Sequence, residues 1–162
     1  RLGADNHRPA PRWLPLWQTA VPGTHWEEDI GSALWLKLVI NAVINPLSAL
    51  TDSCNGELNT DPSLSGKVTN LCRELSALTR VSDYGHLADT LESEVRQVIS
   101  NTAENRSSML QDIAAKRPTE IEFINGYISA EGKRLGVATP LNDALVNDIA
   151  TLDQRNRNAA GC

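Results

Sequence analysis

Three polar side chains recur at every fourth position of one apolar stretch. The stretch is LWLKLVINAVINPLSAL, residues 34–50, and the polar side chains are those of Lys37, Asn41 and Asn45. A helix turns by about 100° per residue, so side chains four residues apart lie on one face. An ammonium donates a proton and attracts negative charge, while amides donate and accept hydrogen bonds without adding charge. This polar row has the chemistry needed to bind and protonate a polar ligand.

The rest of this helix is apolar on nearly every face. A helix that is apolar all round is normally buried, and a buried ammonium costs several kcal/mol unless it is compensated. The pattern alone leaves two interpretations open. Either the polar row faces a cleft, or Lys37 extends to solvent while Asn41 and Asn45 bond to neighbouring helices.

A second cluster lies in the segments SSMLQDI and TEIEFING. Ser107 and Ser108 stand at the expected start of one helix, and Glu120 stands at the start of the next. Hydroxyls and main-chain N–H groups at a helix start bind anions readily. The alternative is that both segments are only helix caps, with Ser107 as one N-cap and Thr119 with Glu122 as a capping box.

The composition is that of an ordinary soluble globular domain. The chain has 162 residues, 41% of them hydrophobic and 22% charged, which is enough for one domain with a core. The net charge of −5 argues against nucleic acid or an anionic membrane as the main partner. No apolar run of about 18 residues lacks a polar break, so no membrane-spanning helix is expected.

The cysteines and histidines show no spacing typical of a metal site or a catalytic triad. Cys54, Cys72 and Cys162 are odd in number, and we interpret them as reduced thiols of a cytoplasmic protein. No bound metal is therefore expected.

The elements that position these residues are predicted to be helices. Apolar residues recur at helical spacing and no segment alternates with a period of two, so the fold class is all-α. Pro46 should kink or end the first long helix near Asn45, and Gly136 is expected to stop a later one. Helices are expected over residues 27–45, 64–84, 87–101, 108–116 and 119–135, and from residue 140 into the polar tail DQRNRNAAGC.

The first 35 residues differ in composition from the rest, because they contain all four tryptophans. The segment RLGA is predicted to form a short strand, followed by a short helix near Trp13–Thr19. A lone strand is not stable by itself. We therefore interpret the N-terminus as the end of a domain that lies upstream.

Together these segments resemble the C-terminal helical domain of the ketopantoate reductase family. The resemblance covers about residues 25–150 and rests on LWLKLVINAVINPLSAL with CNGEL, then AENRSSMLQDI, TEIEFINGYI and GVATPLN. It implies the multi-helix domain of 6-phosphogluconate dehydrogenase-type reductases, preceded by a remnant of a Rossmann strand. Residues 1–24 would be the tail of a missing NADP-binding domain with a linker, and residues 25–162 the helical substrate-binding and catalytic domain.

The resemblance implies NADPH-dependent reduction of 2-dehydropantoate to (R)-pantoate, on the route to pantothenate and coenzyme A. Lys37 matches the family's general acid, and Glu120 matches a glutamate near that lysine and the cofactor. Four residues match substrate-binding positions: Asn41, Asn45, Asn55 and Ser108. The implied partners are a small 2-oxo acid and the missing Rossmann domain. The resemblance also allows a homodimer.

The 162-residue chain alone is expected to be inactive, because no glycine-rich GxGxxG turn follows a strand in it. Two other functions stay open. A related reductase of another 2-oxo acid would share the architecture. A non-catalytic interaction module would instead use the tryptophan-rich start as a docking surface.

Overall fold

The computed structural model describes residues 2–4 and 9–160, except for the side chains of residues 157–160. Arg1 and Cys162, which enter the interpretations above, lie outside the described residues. The chain divides into two compact units, residues 1–37 and 38–162, and the boundary falls inside a helix.

The first unit contains a small parallel sheet. Strand β1, Leu2–Gly3, pairs with strand β2, Trp26–Glu27, so that Leu2 lies opposite Trp26. The short N-terminal strand is confirmed. Strand β2 was not expected, because two residues are too few to show a period of two.

Helix α1, Leu14–Ala20, confirms the predicted short helix. The ring of Trp13 lies 6.3 Å from the ring of Trp17 and 6.4 Å from that of Trp26, edge to face in both cases. Such aromatic pairs are favourable. About half of the surface of Trp13 and Trp17 is nevertheless exposed, as is most of Leu16. The first unit therefore presents apolar side chains to its surroundings.

Helix α2, Ile30–Thr51, carries the polar row. Asp29 precedes it, and its carboxylate accepts the N–H of Ser32 at 3.0 Å, as expected at the positive end of a helix. Of the two outcomes predicted for Pro46, a kink or an end of the helix near Asn45, the end is wrong. The helix continues through Pro46 to Thr51.

By length and composition alone α2 could cross a membrane, since it has 22 residues and is strongly apolar. Within the structure, however, 56% of its most apolar window is buried. Residues 42–49 form an unbroken buried run. This part of α2 is therefore a core helix of the second unit.

The remaining helices follow one another along the second unit. They are α3, Glu57–Thr60; α4, Pro62–Val81; α5, Leu91–Asn101; α6, Ser108–Ala114; α7, Tyr127–Leu135; and α8, Pro140–Ala160. A 3₁₀ turn, Gly85–Leu87, precedes α5, and a π-helix, Glu122–Gly126, leads into α7. Gly136 ends α7 in the left-handed region at φ 72°, which confirms the predicted stop. The all-α prediction is confirmed.

The core of the second unit is built from apolar residues at helical spacing. Helix α4 buries five of them: Leu64, Val68, Leu71, Leu75 and Leu78. On α5 the buried apolar residues are Leu91, Val95 and Ile99, while Val98 is only partly buried.

The predicted capping box of Thr119 and Glu122 is wrong. The N–H and the hydroxyl of Thr119 both donate to Asp153 Oδ2, at 3.1 Å and 2.7 Å. Asp153 lies on α8. This segment is therefore held by a carboxylate from another helix rather than by its own sequence neighbour.

Candidate functional site

Burial increases along the polar row of α2. Lys37 is exposed, Asn41 is half-buried, and Asn45 is buried with 7% of its surface exposed. Leu34, one turn before Lys37, is also exposed. Of the two interpretations left open by the sequence, the exposure of Lys37 to solvent is therefore the one seen in this chain, while Asn45 lies in the core.

Ser48 extends the polar row by one more turn. Its Oγ lies 2.7 Å from Ser107 Oγ, in a hydrogen bond between two buried side chains. It also lies 3.1 Å from the main-chain carbonyl oxygen of Asn45. Sequence analysis missed Ser48, although its position three residues after Asn45 places it on the same helix face.

Ser107 caps α6, whereas the neighbouring Ser108 is exposed to solvent. Ser107 is the N-cap of α6, as predicted, and its Oγ accepts the N–H of Leu110 at 3.2 Å. Ser108 is the first residue of α6 and is exposed. The bond from Ser48 to Ser107 therefore fixes where Ser108 stands relative to the second half of α2.

Asn125 connects the TEIEFING segment to the same helix. Its Nδ2 donates to the main-chain carbonyl oxygen of Ala42 at 2.9 Å. In a regular α-helix that carbonyl would accept from the N–H of residue 46, but Pro46 has none. The amide of Asn125 supplies the missing donor.

Asn142, in the segment GVATPLN, completes this contact. Its Oδ1 accepts the second N–H of Asn125 Nδ2 at 2.9 Å. Its own Nδ2 donates to the carbonyl oxygen of Asn125 and to Ser129 Oγ, each at 2.9 Å. Asn125 and Asn142 are both fully buried. The two amides form a closed network at the side of α2.

Asn55 joins the CNGEL turn to the segment that precedes Ser107. Its N–H donates to the carbonyl oxygen of Asn105 at 2.9 Å, and its Nδ2 donates to Thr102 Oγ1 at 2.9 Å. Its Oδ1 is buried without a hydrogen-bond partner. Next to it, a Cβ on Gly56 would lie 2.8 Å from the Cβ of Ala103, so the close approach needs glycine.

Glu120 lies on the surface of the second unit, just before the π-helix. Its side chain is exposed, and its main-chain carbonyl accepts the N–H groups of Phe123 and Ile124. Phe123 is 81% exposed. The carboxylate of Glu120 is thus available to a group that approaches from outside this chain. Asp112, which belongs to the same motif set, instead binds Arg117 at 2.7 Å.

The structure therefore brings four motif segments together at residues 42–48 of α2 or next to them. Ser107 and Asn125 bond to α2 directly, while Asn142 and Asn55 hold the segments that carry them. Lys37 lies on the same helix but in the first unit. Among residues 2–4 and 9–160, no three His, Cys, Asp or Glu side chains are grouped to hold a metal ion.

The chain is similar to known proteins in sequence and in fold. The family described as "Ketopantoate reductase PanE/ApbA C terminal" matches residues 29–153. The 2-dehydropantoate 2-reductase of Vibrio cholerae is 43% identical over 129 residues, covering 80% of this chain and 43% of that protein. The solved structure of the probable 2-dehydropantoate 2-reductase of Bacillus subtilis is similar with a TM-score of 0.72 and 33% identity, covering 79% of this chain and 43% of that one.

A further similarity is to D-mandelate dehydrogenase, solved with NADH and anilino(oxo)acetate. Its TM-score is 0.78 at 25% identity, covering 88% of this chain and 59% of that one. The chain spans less than half the length of the 2-dehydropantoate 2-reductases that it matches.

Proposed function

The chain belongs to the ketopantoate reductase family as its C-terminal part, and from this premise we propose that the whole protein is an NADPH-dependent 2-dehydropantoate 2-reductase. The observation that carries the proposal is the meeting of the motif segments at α2. Ser107 bonds to Ser48 and Asn125 bonds to Ala42, on either side of Asn45 along the helix. These two bonds hold the segments that contain Ser108 and Asn125 against the turns of α2 on either side of Asn45.

Lys37 is the proposed general acid. When NADPH is bound, its nicotinamide supplies a hydride to the keto carbon of the substrate. Negative charge then builds on the keto oxygen, and an ammonium at that oxygen stabilises the charge and donates the proton. Its exposure leaves the Lys37 amine accessible to a substrate that is enclosed from the other side by the upstream domain.

The substrate groups are assigned to the amides and to Ser108. Asn41 and Asn45 are proposed to bond the substrate hydroxyl, since amides both donate and accept. Asn55 has one buried acceptor without a partner, its Oδ1, which fits a substrate hydroxyl donor. The exposed hydroxyl of Ser108, at the first residue of α6, suits the substrate carboxylate.

Glu120 is proposed to face the cofactor and Lys37. Its carboxylate would attract the Lys37 ammonium through their opposite charges. Residues 1–24 are proposed to end the NADP-binding domain and to link it to the helical domain, residues 25–162. The exposed rings of Trp13 and Trp17 would then pack against that domain.

The test uses the complete reading frame. We expect it to encode a glycine-rich strand, turn and helix upstream of Arg1, and its product to oxidise NADPH in the presence of 2-dehydropantoate. Lys37→Ala should lower kcat by about 10²–10⁴-fold. Lys67→Ala, which removes an exposed lysine of α4, is the matched control and should leave kcat near that of the wild type. A Lys37→Ala variant with near-normal kcat would show that Lys37 is not the general acid.

The 162-residue chain by itself should show no NADPH-dependent turnover. The reason is that its described residues contain no glycine-rich turn after a strand that would cradle a dinucleotide. Measurable turnover by the purified chain would contradict the assignment of the cofactor to the missing domain.

A second candidate is a reductase of another 2-oxo acid. It is favoured by the similarity to D-mandelate dehydrogenase, whose structure holds NADH and anilino(oxo)acetate. The kcat/KM values of the whole protein for 2-dehydropantoate and for an aromatic 2-oxo acid separate the two candidates. The higher value, measured with NADPH and with NADH in turn, identifies the substrate and the preferred cofactor.

The whole protein is proposed to work in the cytoplasm as a soluble enzyme. Cys54 and Cys72 are both free thiols, which suits a reducing compartment. Fractionation of cells that express the whole protein tests the location. Light scattering of the same protein distinguishes a monomer from the homodimer that the family resemblance allows.

A further inference from the structure

Pro46 creates a defect in α2 that a side chain from another segment repairs. The missing N–H of Pro46 leaves the carbonyl of Ala42 without its helical partner. Ala42 is fully buried, so water cannot take the place of that donor. The Nδ2 of Asn125 does so instead, at 2.9 Å and from a position 83 residues later in the chain.

The orientation of the Asn125 amide is fixed by the two acceptors to which its nitrogen donates. One N–H goes to Ala42 and the other to Asn142 Oδ1, both at 2.9 Å. Its Oδ1 is buried and has no partner. A side chain that only accepts hydrogen bonds would therefore face two acceptors here, which is unfavourable.

The repaired carbonyl lies within the polar row. Ala42 directly follows Asn41, and Asn45 stands three residues further on, before Pro46. A buried carbonyl without a donor would shift towards one, and such breaks in the helical ladder are where helices bend. A bend at this turn would displace Asn41 relative to Asn45.

We infer that Asn125 is a positioning residue for substrate binding, which fixes the turn of α2 that carries Asn41 and Asn45. The inference rests on the proposed function for the identity of the ligand, a 2-oxo acid. The hydrogen bond itself, and its dependence on Pro46, stand on the geometry alone.

A double-mutant cycle on the whole protein tests the bond. Asn125→Leu should lower the midpoint of thermal unfolding, and Pro46→Ala, which restores an N–H at residue 46, should recover the part of this loss that comes from the Ala42 carbonyl. The part due to the lost bond to Asn142 should be the same in both backgrounds. Asn125→Ala provides the same cycle if the leucine variant does not fold. Asn147→Leu, at an exposed asparagine of α8, is the matched control, and its effect should not depend on residue 46. Equal losses for Asn125 variants in both backgrounds overturn the inference.

Steady-state kinetics test the positioning role. In a well-folded Asn125 variant, KM for the 2-oxo acid should rise about tenfold with a smaller change in kcat, and Pro46→Ala should bring KM back towards the wild-type value. A lower kcat with unchanged KM would show only loss of folded enzyme and would overturn the positioning role. A wild-type protein without turnover overturns the proposed function itself, and this is seen before any variant is measured.

Discussion

Ser48 Oγ lies 2.7 Å from Ser107 Oγ, and both side chains are buried. The bond joins the second half of α2 to the N-cap of α6, which lies 59 residues later in the chain. Because Ser107 Oγ also accepts the N–H of Leu110, one hydroxyl both caps α6 and docks it on α2. The position of the neighbouring Ser108 therefore depends on Ser48.

Ser48→Ala should lower the free energy of unfolding by about 1–2 kcal/mol, because it leaves the buried Ser107 hydroxyl without this partner. In the whole protein KM should rise as well, since α6 carries Ser108. Urea unfolding and steady-state kinetics measure the two effects. Ser63→Ala, at an exposed serine of α4, is the control. A Ser48→Ala variant as stable as this control would contradict the docking role.

Glu74 of α4 caps the start of α8 from outside that helix. Its two carboxylate oxygens accept the N–H groups of Leu141 and Asn142, at 2.9 Å and 2.8 Å. Glu74→Ala removes both acceptors and a favourable negative charge at the helix start. It should cost about 1–2 kcal/mol of unfolding free energy.

The control for Glu74 is Glu104→Ala, which removes the same charge from an exposed loop position. Glu74→Gln should lie between Glu74→Ala and the wild type, because an amide keeps one acceptor and loses the charge. Equal stabilities for the Glu74→Ala and Glu104→Ala variants would show that the cap contributes nothing.

The planar guanidinium of Arg96 on α5 forms hydrogen bonds to side chains of α3 and α4. Its guanidinium donates to Glu92, to Asn59 and to Thr69, the last at 2.6 Å. Lysine cannot reproduce this planar set of donors, so Arg96→Lys should destabilise the protein by about 1–3 kcal/mol. Chemical denaturation measures the loss. Arg73→Lys, at an exposed arginine with one bond to Asn70, should change stability by far less.

Cys72 predicts a pH dependence of stability. Burial, with a smaller contribution from the Glu92 carboxylate, raises the pKa of its thiol from 9.0 to about 12. Between these values an unfolded chain loses the proton while the folded protein keeps it. The stability due to this thiol is therefore complete below pH 9.0 and is lost as the pH rises towards about 12.

Cys72→Ala removes this dependence. The stability of the wild type should fall relative to that of the variant by up to about 1.4 kcal/mol per pH unit above the lower pKa. Urea unfolding at a series of alkaline pH values measures the difference. Cys54→Ala, at a partly exposed thiol, is the control. Parallel curves for the wild type and the Cys72→Ala variant would show that the Cys72 thiol titrates equally in both states.

Most helices could be predicted because their signals are local. Apolar residues at helical spacing predicted the buried face of α4, and Ser107 and Gly136 marked the start of α6 and the end of α7. The same periodicity placed Lys37, Asn41 and Asn45 on one face of α2. The motif set also sufficed to recognise the family, which the matched residues 29–153 confirm.

The errors arose where a partner lies far away in the chain. Thr119 was assigned to Glu122 but is bound by Asp153, 34 residues later. Pro46 was expected to kink or end α2, and nothing near it in the sequence shows that Asn125 would supply the missing donor that lets the helix continue.

The sequence by itself thus determined the helices, the polar row and the family, because each is encoded by residues a few positions apart. The tertiary structure alone decided how the segments meet: the Ser48–Ser107 and Asn125–Ala42 bonds, the exposure of Lys37 and the burial of Asn45. The physical reason is that a hydrogen bond between distant segments exists only once packing has brought donor and acceptor together and removed water.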